Sequence, residues 1–187
     1  MPKRYILFAG VNGAGKTTLY QANPQIKDMP RINLDEIVRS IGSWKNPADV
    51  HKAGMQAVRL IDSYFKEGVS FNQETTLCGN AVMKYIRRAK NEGYEIELHY
   101  VGLDSSEIAK ERIRQRVRDG GHGVSDADIE RRYAESFEKL KTMPSVCDRI
   151  YLYDNTNRFV RIASFKNGEW MSVVNALPKW VSLSQAQ

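Results

Sequence analysis

The sequence predicts a three-layer α/β sandwich around a mostly parallel sheet of five strands, with a helical lid and a small C-terminal β-hairpin appendage. Three observations predict it. Short apolar runs alternate with helical patterns as far as Tyr153, the order that parallel strands joined by crossover helices produce. Gly10 to Thr17 read Gly-Val-Asn-Gly-Ala-Gly-Lys-Thr, a complete phosphate-binding loop set between an apolar run and a helix start. After Tyr153 the alternation stops, and two β-type runs flank Lys166-Asn167-Gly168, a hairpin signal.

Taken in order, residues 4–9 are short and apolar, as a strand buried on both faces must be. The glycine-rich turn and the helix opening at Thr18-Leu19-Tyr20 complete an anion trap lined by backbone N–H groups. Gly10, Val11, Asn12, Gly13, Ala14, Gly15, Lys16, Thr17 and Thr18 are therefore nucleotide-binding candidates. Lys16 reaches the β- and γ-phosphates of ATP or GTP, and the Thr17 hydroxyl holds Mg²⁺. This makes the sandwich a P-loop, kinase-like one.

Residues 31–34 form the second strand candidate, with Asp35 just past its end. Asn46 caps a helix that Pro47 begins; Val50, Ala53, Ala57, Leu60, Ile61 and Tyr64 recur at helical spacing, and Gly68 ends it. The third strand, 69–74, closes on Glu74-Thr75-Thr76. Val82, Ile86 and Ala89 mark a helix closed by Gly93, and strand 94–101 follows. Ser105 caps the next helix, with Ile113 and Val117 inward. Ser125 opens another with Asp128 as capping-box partner and Ile129, Tyr133, Phe137 and Leu140 as its apolar stripe. Strand 149–153 ends the alternation. The runs 159–165 and 170–174 make the appendage, about 157–181, and the tail from Ser182 onward reads as frayed. The chain, 1–187, reads as one domain, long enough for a proper core.

Composition is that of an ordinary soluble globular protein, 42% hydrophobic and 27% charged. Cys78 and Cys147 make neither a metal pattern nor a disulfide scaffold, which suits a reducing cytoplasm. The first apolar run is too short for a signal peptide, and no run approaches a membrane span. His51, His99 and His122 are too scattered for zinc. A net charge of +6 and a pI of about 9.3 fit either nucleic acid or a pocket for several phosphates. The crowding of Lys110, Arg112, Arg114, Arg116 and Arg118, then Arg131 and Arg132, favours the pocket over nucleic acid. The alternative for each arginine is a solvated helix face.

In a parallel sheet ligands bind past the carboxyl ends of the strands. Asp35 there can accept a proton from an attacking hydroxyl or help hold Mg²⁺; otherwise it is an acidic helix start. The Asp35-Glu36 pair lies too close to Lys16 to be that of a water-activating ATPase, and no Leu-Ser-Gly-Gly signature is present. Glu74 and Thr76 suit sugar or ribose hydroxyls; otherwise the threonines cap a loop. Within 116–133, Gly120, Gly121 and Gly123 interrupt two arginine-bearing helices, which is lid architecture with arginines supplied in cis. By fold analogy Asn155 and Thr156 lie near the adenine.

With these residues in place the chain resembles a zeta-toxin family kinase of the small bacterial type. The resemblance rests on Gly-Val-Asn-Gly-Ala-Gly-Lys-Thr-Thr, Asn33-Leu34-Asp35-Glu36, Glu74-Thr75-Thr76, and Arg118-Asp-Gly-Gly-His122-Gly-Val followed by Ile129-Glu-Arg131-Arg132-Tyr133. It implies phosphorylation of the 3′-hydroxyl of UDP-N-acetylglucosamine by ATP or GTP with Mg²⁺, and restraint of toxic members by a small helical antitoxin. It further implies Lys16 and Thr17 for phosphate and Mg²⁺, Asp35 as general base, Glu74 and Thr76 on the sugar nucleotide, and Arg118 and Arg131 as the charge-stabilising pair. Arg116 and Arg132 are nearby candidates. The chain departs at Cys78, where the toxins often carry an arginine. Two alternatives stay open: a kinase for another hydroxyl, on a nucleoside, a metabolite or a nucleic-acid end, and a nucleotide-binding regulatory ATPase.

Overall fold

The computed structural model describes residues 2–181; the frayed tail read from Ser182 lies outside them. Among the described residues seven strands form one mixed sheet. They are β1 (Arg4–Ala9), β2 (Arg31–Ile32), β3 (Phe71–Thr75), β4 (Glu95–Gly102), β5 (Arg149–Asp154), β6 (Val160–Lys166) and β7 (Glu169–Ser172), in the order β2-β3-β1-β4-β5-β6-β7. The first five in that order are parallel, as the alternation predicts. β6 and β7 are antiparallel, and β6 pairs with β5 along its length. The predicted appendage is thus corrected: the hairpin continues the main sheet. Its turn is Asn167-Gly168, at φ 55° and 84°, the left-handed pair that a two-residue hairpin turn needs.

Among the described residues six α-helices surround the sheet: α1 (Lys16–Gln21), α2 (Leu34–Ile41), α3 (Pro47–Glu67), α4 (Ala81–Asn91), α5 (Ser106–Arg118) and α6 (Asp126–Lys141). Alternation along β1 builds two cores. Tyr5, Leu7 and Ala9 join Phe71, Leu98 and Tyr100 under Ile61 and Phe65 of α3 and Val82 and Ile86 of α4. Ile6 and Phe8 join Val101 under Leu19 of α1 and Ala109 and Ile113 of α5. α6 serves both, through Ile129 in one and Leu140 in the other.

Most caps follow the sequence; Ser105 precedes α5 as predicted, but its side chain makes no capping hydrogen bond. Asn46 accepts the Ala48 N–H at the start of α3, and Gly68 ends that helix at φ 67°. Ser125 accepts the Asp128 N–H at the start of α6. The second strand is shorter than predicted. Asn33 leaves the sheet, and its side chain accepts the Asp35 N–H, so α2 begins at Leu34. Asp35 therefore sits in the first turn of a helix.

Two side-chain anchors brace β4. Glu97 meets His99 Nε2 at 2.7 Å and Arg4 Nη2 at 2.6 Å. Burial opposes its ionisation, but hydrogen bonds from His99 and Arg4 outweigh burial and hold the carboxyl down at about 2. At the C-terminal end of the strand the Trp180 indole fills the space of the missing side chain of Gly102, where a Cβ would stand 2.4 Å from the ring. Trp180 Nε1 donates to Asp154 Oδ1 at 3.0 Å.

Candidate active site

β1 delivers the chain to the phosphate loop at the middle of the sheet, with β3 on one side and β4 on the other. This is the switch point where open α/β sheets bind ligands. Gly10 turns at φ 137°, and a Cβ there would stand 2.3 Å from the Val101 carbonyl oxygen, so glycine is required. Lys16 opens α1 almost wholly buried, and its Nζ donates to the Val11 carbonyl at 3.1 Å. Burial lowers its pKa, opposed by the nearby Glu74 and Asp35. An ammonium with one backbone acceptor has two N–H groups left for phosphate oxygens.

Glu74 projects from β3, directly opposite Phe8 of β1, and so reaches the first turn of α1. Its carboxylate, 12% exposed, accepts from Thr17 Oγ1 at 3.0 and 3.2 Å, Arg31 Nη2 at 2.7 Å and Asn33 Nδ2 at 3.1 Å. A hydroxyl and a carboxylate thus converge beside Lys16, a hard oxygen pair of the kind Mg²⁺ takes alongside nucleotide phosphates. Among the described residues no group of three or more His, Cys, Asp and Glu forms a self-sufficient metal site.

Asp35 faces the same space from α2. Arg116 Nη1 lies 3.8 Å from its Oδ2, near enough for the guanidinium to attract it, and His122 Nε2 lies 3.6 Å away; both are too far to hydrogen-bond.

The segment predicted as a lid crosses the opening. α5 ends at Asp119, Gly120 turns at φ 85°, and the Gly121 N–H returns to the Arg116 carbonyl at 2.8 Å. His122 stacks on Trp44 of the α2–α3 loop, centroids 4.2 Å apart. Burial lowers the His122 pKa, Arg116 adds to this, and Asp35 opposes it. Its Nε2 lies 3.0 Å from Arg116 Nη2, where the ring without a proton on Nε2 accepts from the guanidinium.

Phosphate loop, Asp35, Glu74, Thr76, lid and the inner face of α3 line one cleft of about 1070 Å³. That is the upper end of small-molecule sites, with room for a nucleotide and a second molecule. Of the predicted residues, Asn12, Gly13, Gly15, Lys16, Thr17, Asp35, Glu74, Thr76 and Arg131 line it. Gly10, Val11 and Ala14 are buried within the loop, and Thr18 is exposed. Asn155 and Thr156 brace instead of lining. Asn155 Nδ2 donates to the Ala14 carbonyl at 2.8 Å, and Thr156 Oγ1 donates to Asp154 at 2.7 Å.

The arginines are redistributed. Arg118, 57% exposed, bonds Glu111 and Gln115 and lies away from the cleft. Arg131 reaches the cleft but pairs with Asp128 and Glu135. The arginines against Asp35 and the loop are Arg116 and Arg132, whose Nη1 donates to Asn12 Oδ1 at 2.9 Å. Helix phase explains this. Arg112 and Arg116 share the face of α5 packed on the loop, and Arg118 stands about 200° round from Arg116. Arg112 braces the site through the Asn155 carbonyl at 2.6 Å.

Sequence reasoning gives no role to Trp44, Arg31 or Asn33. A large aromatic residue in the polar segment before Asn46-Pro47 is the available signal for Trp44. Nothing local marks Arg31, whose guanidinium lies over the Tyr20 ring at 3.6 Å and bonds Asn72. Cys78 is half-buried, with Sγ 3.4 Å from the carbonyls of Thr76 and Arg132. Burial raises its thiol pKa, so it is not a ready nucleophile.

A family model described as an AAA domain matches residues 6–140. An uncharacterized protein of Haemophilus influenzae is 34% identical over 135 residues, 71% of this chain and 94% of its own. Among solved structures, AvrRxo1-ORF1:AvrRxo1-ORF2 with sulphate ions superposes with a TM-score of 0.69 at 18% identity, over 92% of this chain and 61% of that one. The chain therefore spans about three-fifths of that relative's length. The same complex with ATP gives 0.66 at 19% identity, over 92% and 61%. The PezAT chromosomal toxin–antitoxin system of Streptococcus pneumoniae gives 0.62 at 21% identity, over 85% and 71%. These likenesses establish a P-loop kinase-like fold.

Proposed function

The chain belongs to the AAA domain family, and from that premise we propose that it is an ATP-dependent kinase that phosphorylates a hydroxyl of a small molecule, UDP-N-acetylglucosamine being the first acceptor to test. The observation that carries this reading is that Asp35 and Lys16 line one cleft large enough for two ligands. A switch or regulatory ATPase has no use for a weakly paired carboxylate facing a second compartment. ATP in the AvrRxo1 neighbour supports the nucleotide assignment, with GTP an alternative donor.

In this reading the phosphate loop and Lys16 hold the β- and γ-phosphates. Thr17, with Glu74 beside it and Asp35 across the cleft, would hold Mg²⁺, which supplies charge neutralisation when bound. Asp35 takes the proton of the acceptor hydroxyl as its oxygen bonds to the γ-phosphorus. The bond from that phosphorus to the bridging oxygen breaks, and ADP leaves. Arg116 and Arg132 bear on the charge of the transferring group, in preference to Arg118 and Arg131. Thr76 and the β3–α4 loop take the acceptor. Cys78 replaces a cation there, but Arg131 and Arg132 stand close enough to act on its thiol, so a diphosphate still has partners on that side.

The toxin–antitoxin neighbour supports a small helical antitoxin as protein partner, and a cytoplasmic location completes the reading. The test is an incubation with ATP, Mg²⁺ and UDP-N-acetylglucosamine, followed by mass analysis of the sugar nucleotide. One phosphorylated product per ADP is the expected result. ADP without any product would overturn the kinase reading, and phosphorylation of another hydroxyl compound alone would replace the acceptor.

A further inference from the structure

Helix α3 forms the cleft wall that carries no cation. Val50, Gly54, Ala57, Val58 and Ile61 face the cavity from it, and none bears a charge. The cationic side chains that line the cavity, among the described residues, stand on α1, α5 and α6.

Gly54 is the anomaly on this wall. It lies inside a 21-residue helix, where glycine is less stable than alanine. Its φ is not in the left-handed region, so the backbone does not require glycine. A Cβ added there meets no atom within 4 Å, so packing within the fold does not require it either. What the missing side chain leaves is open depth in the wall of the cleft. Neighbouring Val58 holds 45% of its surface exposed, so the wall is an accessible apolar one.

We infer that Gly54 determines acceptor specificity by keeping a seat on α3 for the uncharged body of the acceptor, a sugar ring or a base, while its charged groups face the lid. This rests on the kinase reading above. A phosphate placed on α3 would meet no cation and would be stripped of water against apolar side chains. A flat uncharged ring loses little there and gains contact with Val50 and Val58.

The experiment compares wild type, Gly54→Ala and Gly54→Leu. Acceptors are UDP-N-acetylglucosamine, uridine and N-acetylglucosamine, with ATP hydrolysis in their absence as reference. Gly54→Ala raises Tm by about 2 °C, because a helix interior gains an alanine without a clash. Gly54→Leu lowers the ratio of acceptor transfer to ATP hydrolysis by about tenfold or more, through a higher acceptor KM with the ATP KM held. Undiminished transfer by a folded Gly54→Leu overturns the inference, as does equal loss of transfer and ATP binding. A fall in Tm for Gly54→Ala also overturns it, since the fold itself would then need the glycine. A wild type that phosphorylates uridine or N-acetylglucosamine but not UDP-N-acetylglucosamine removes the proposed acceptor, and the same ratio is then read on the compound that reacts. A wild type that only hydrolyses ATP removes both readings.

Discussion

In Glu74→Gln the side chain keeps its shape and loses its charge. Three side chains converge on the native carboxylate, Thr17, Arg31 and Asn33. Arg31 is only 8% exposed and loses its 2.7 Å partner, keeping Asn72 and the half-exposed Glu36 at 3.1 Å. Fully unpairing a buried ion costs about 3–5 kcal/mol, and one hydrogen bond to a charged group contributes about 1.5–3 kcal/mol. The amide oxygen still accepts one N–H and Glu36 remains, so the lower scale applies, about 2 kcal/mol. For a chain of this length that lowers Tm by roughly 4–8 °C. The new amide also turns N–H donors toward the Thr17 hydroxyl, so Mg²⁺-dependent nucleotide binding weakens and transfer falls by ~10²-fold or more. Calorimetric melting, an ATP titration with and without Mg²⁺, and the transfer assay read the three effects on one preparation. An unchanged Tm would refute the view that Glu74 anchors the floor of the site. A rise in acceptor KM with Mg²⁺–ATP binding intact would return Glu74 to the sugar-nucleotide side, where sequence alone assigns it.

Asp35→Asn behaves differently, because its partners stand 3.6 and 3.8 Å away: Tm stays within about 2 °C of wild type, ATP still binds, and transfer falls by ~10²- to 10⁴-fold. Retained transfer in a steady-state assay would end the base assignment. Arg116→Ala lowers kcat by ~10²-fold or more whereas Arg118→Ala leaves it within about twofold; the reverse order in parallel assays would restore the sequence-based pair. Nucleotide binding slows amide exchange across 116–125, and no change with nucleotide shown to be bound counts against a lid. Finally, Glu97 titrates at about 2 in the folded chain against an ordinary 4.5, so its stabilisation is complete above pH 4.5 and is lost as pH falls toward 2. A difference in Tm between wild type and Glu97→Gln that shrinks through that window is expected; a flat difference would dismiss the network.

The parts of this molecule legible in sequence are those decided by a few consecutive residues. The phosphate loop is one, since strand, glycines, lysine and threonine must be adjacent to make an anion site. The Asn46-Pro47 start, the Gly68 stop and the Asn167-Gly168 turn are others, each set by local backbone chemistry. The end of β2 is misread from sequence because Ile32-Asn33-Leu34 alternates like a strand, and only the side-chain bond of Asn33 to Asp35 reveals a cap. The choice among arginines depends on the phase of α5 and α6 against the loop, which packing settles. Stacking of His122 on Trp44 joins residues far apart in the chain, and no spacing rule announces it. Whether a hairpin stands apart or extends a sheet is equally non-local, decided by the pairing of β6 with β5.

The region by which the family is recognised ends at residue 140, inside the last turn of α6. Beyond it lie β5, β6, β7 and Trp180. β4 pairs with β5 at six successive positions, and Leu98 and Tyr100 share a core with Ile150, Leu152 and Trp180. A chain cut at 140 would therefore turn β4 into a bare edge, with open backbone groups and an uncovered apolar flank, the combination that invites aggregation. The matched region is smaller than the sheet that packs around it. Domain boundaries drawn from similarity alone would make a poor guide to where this protein can be cut.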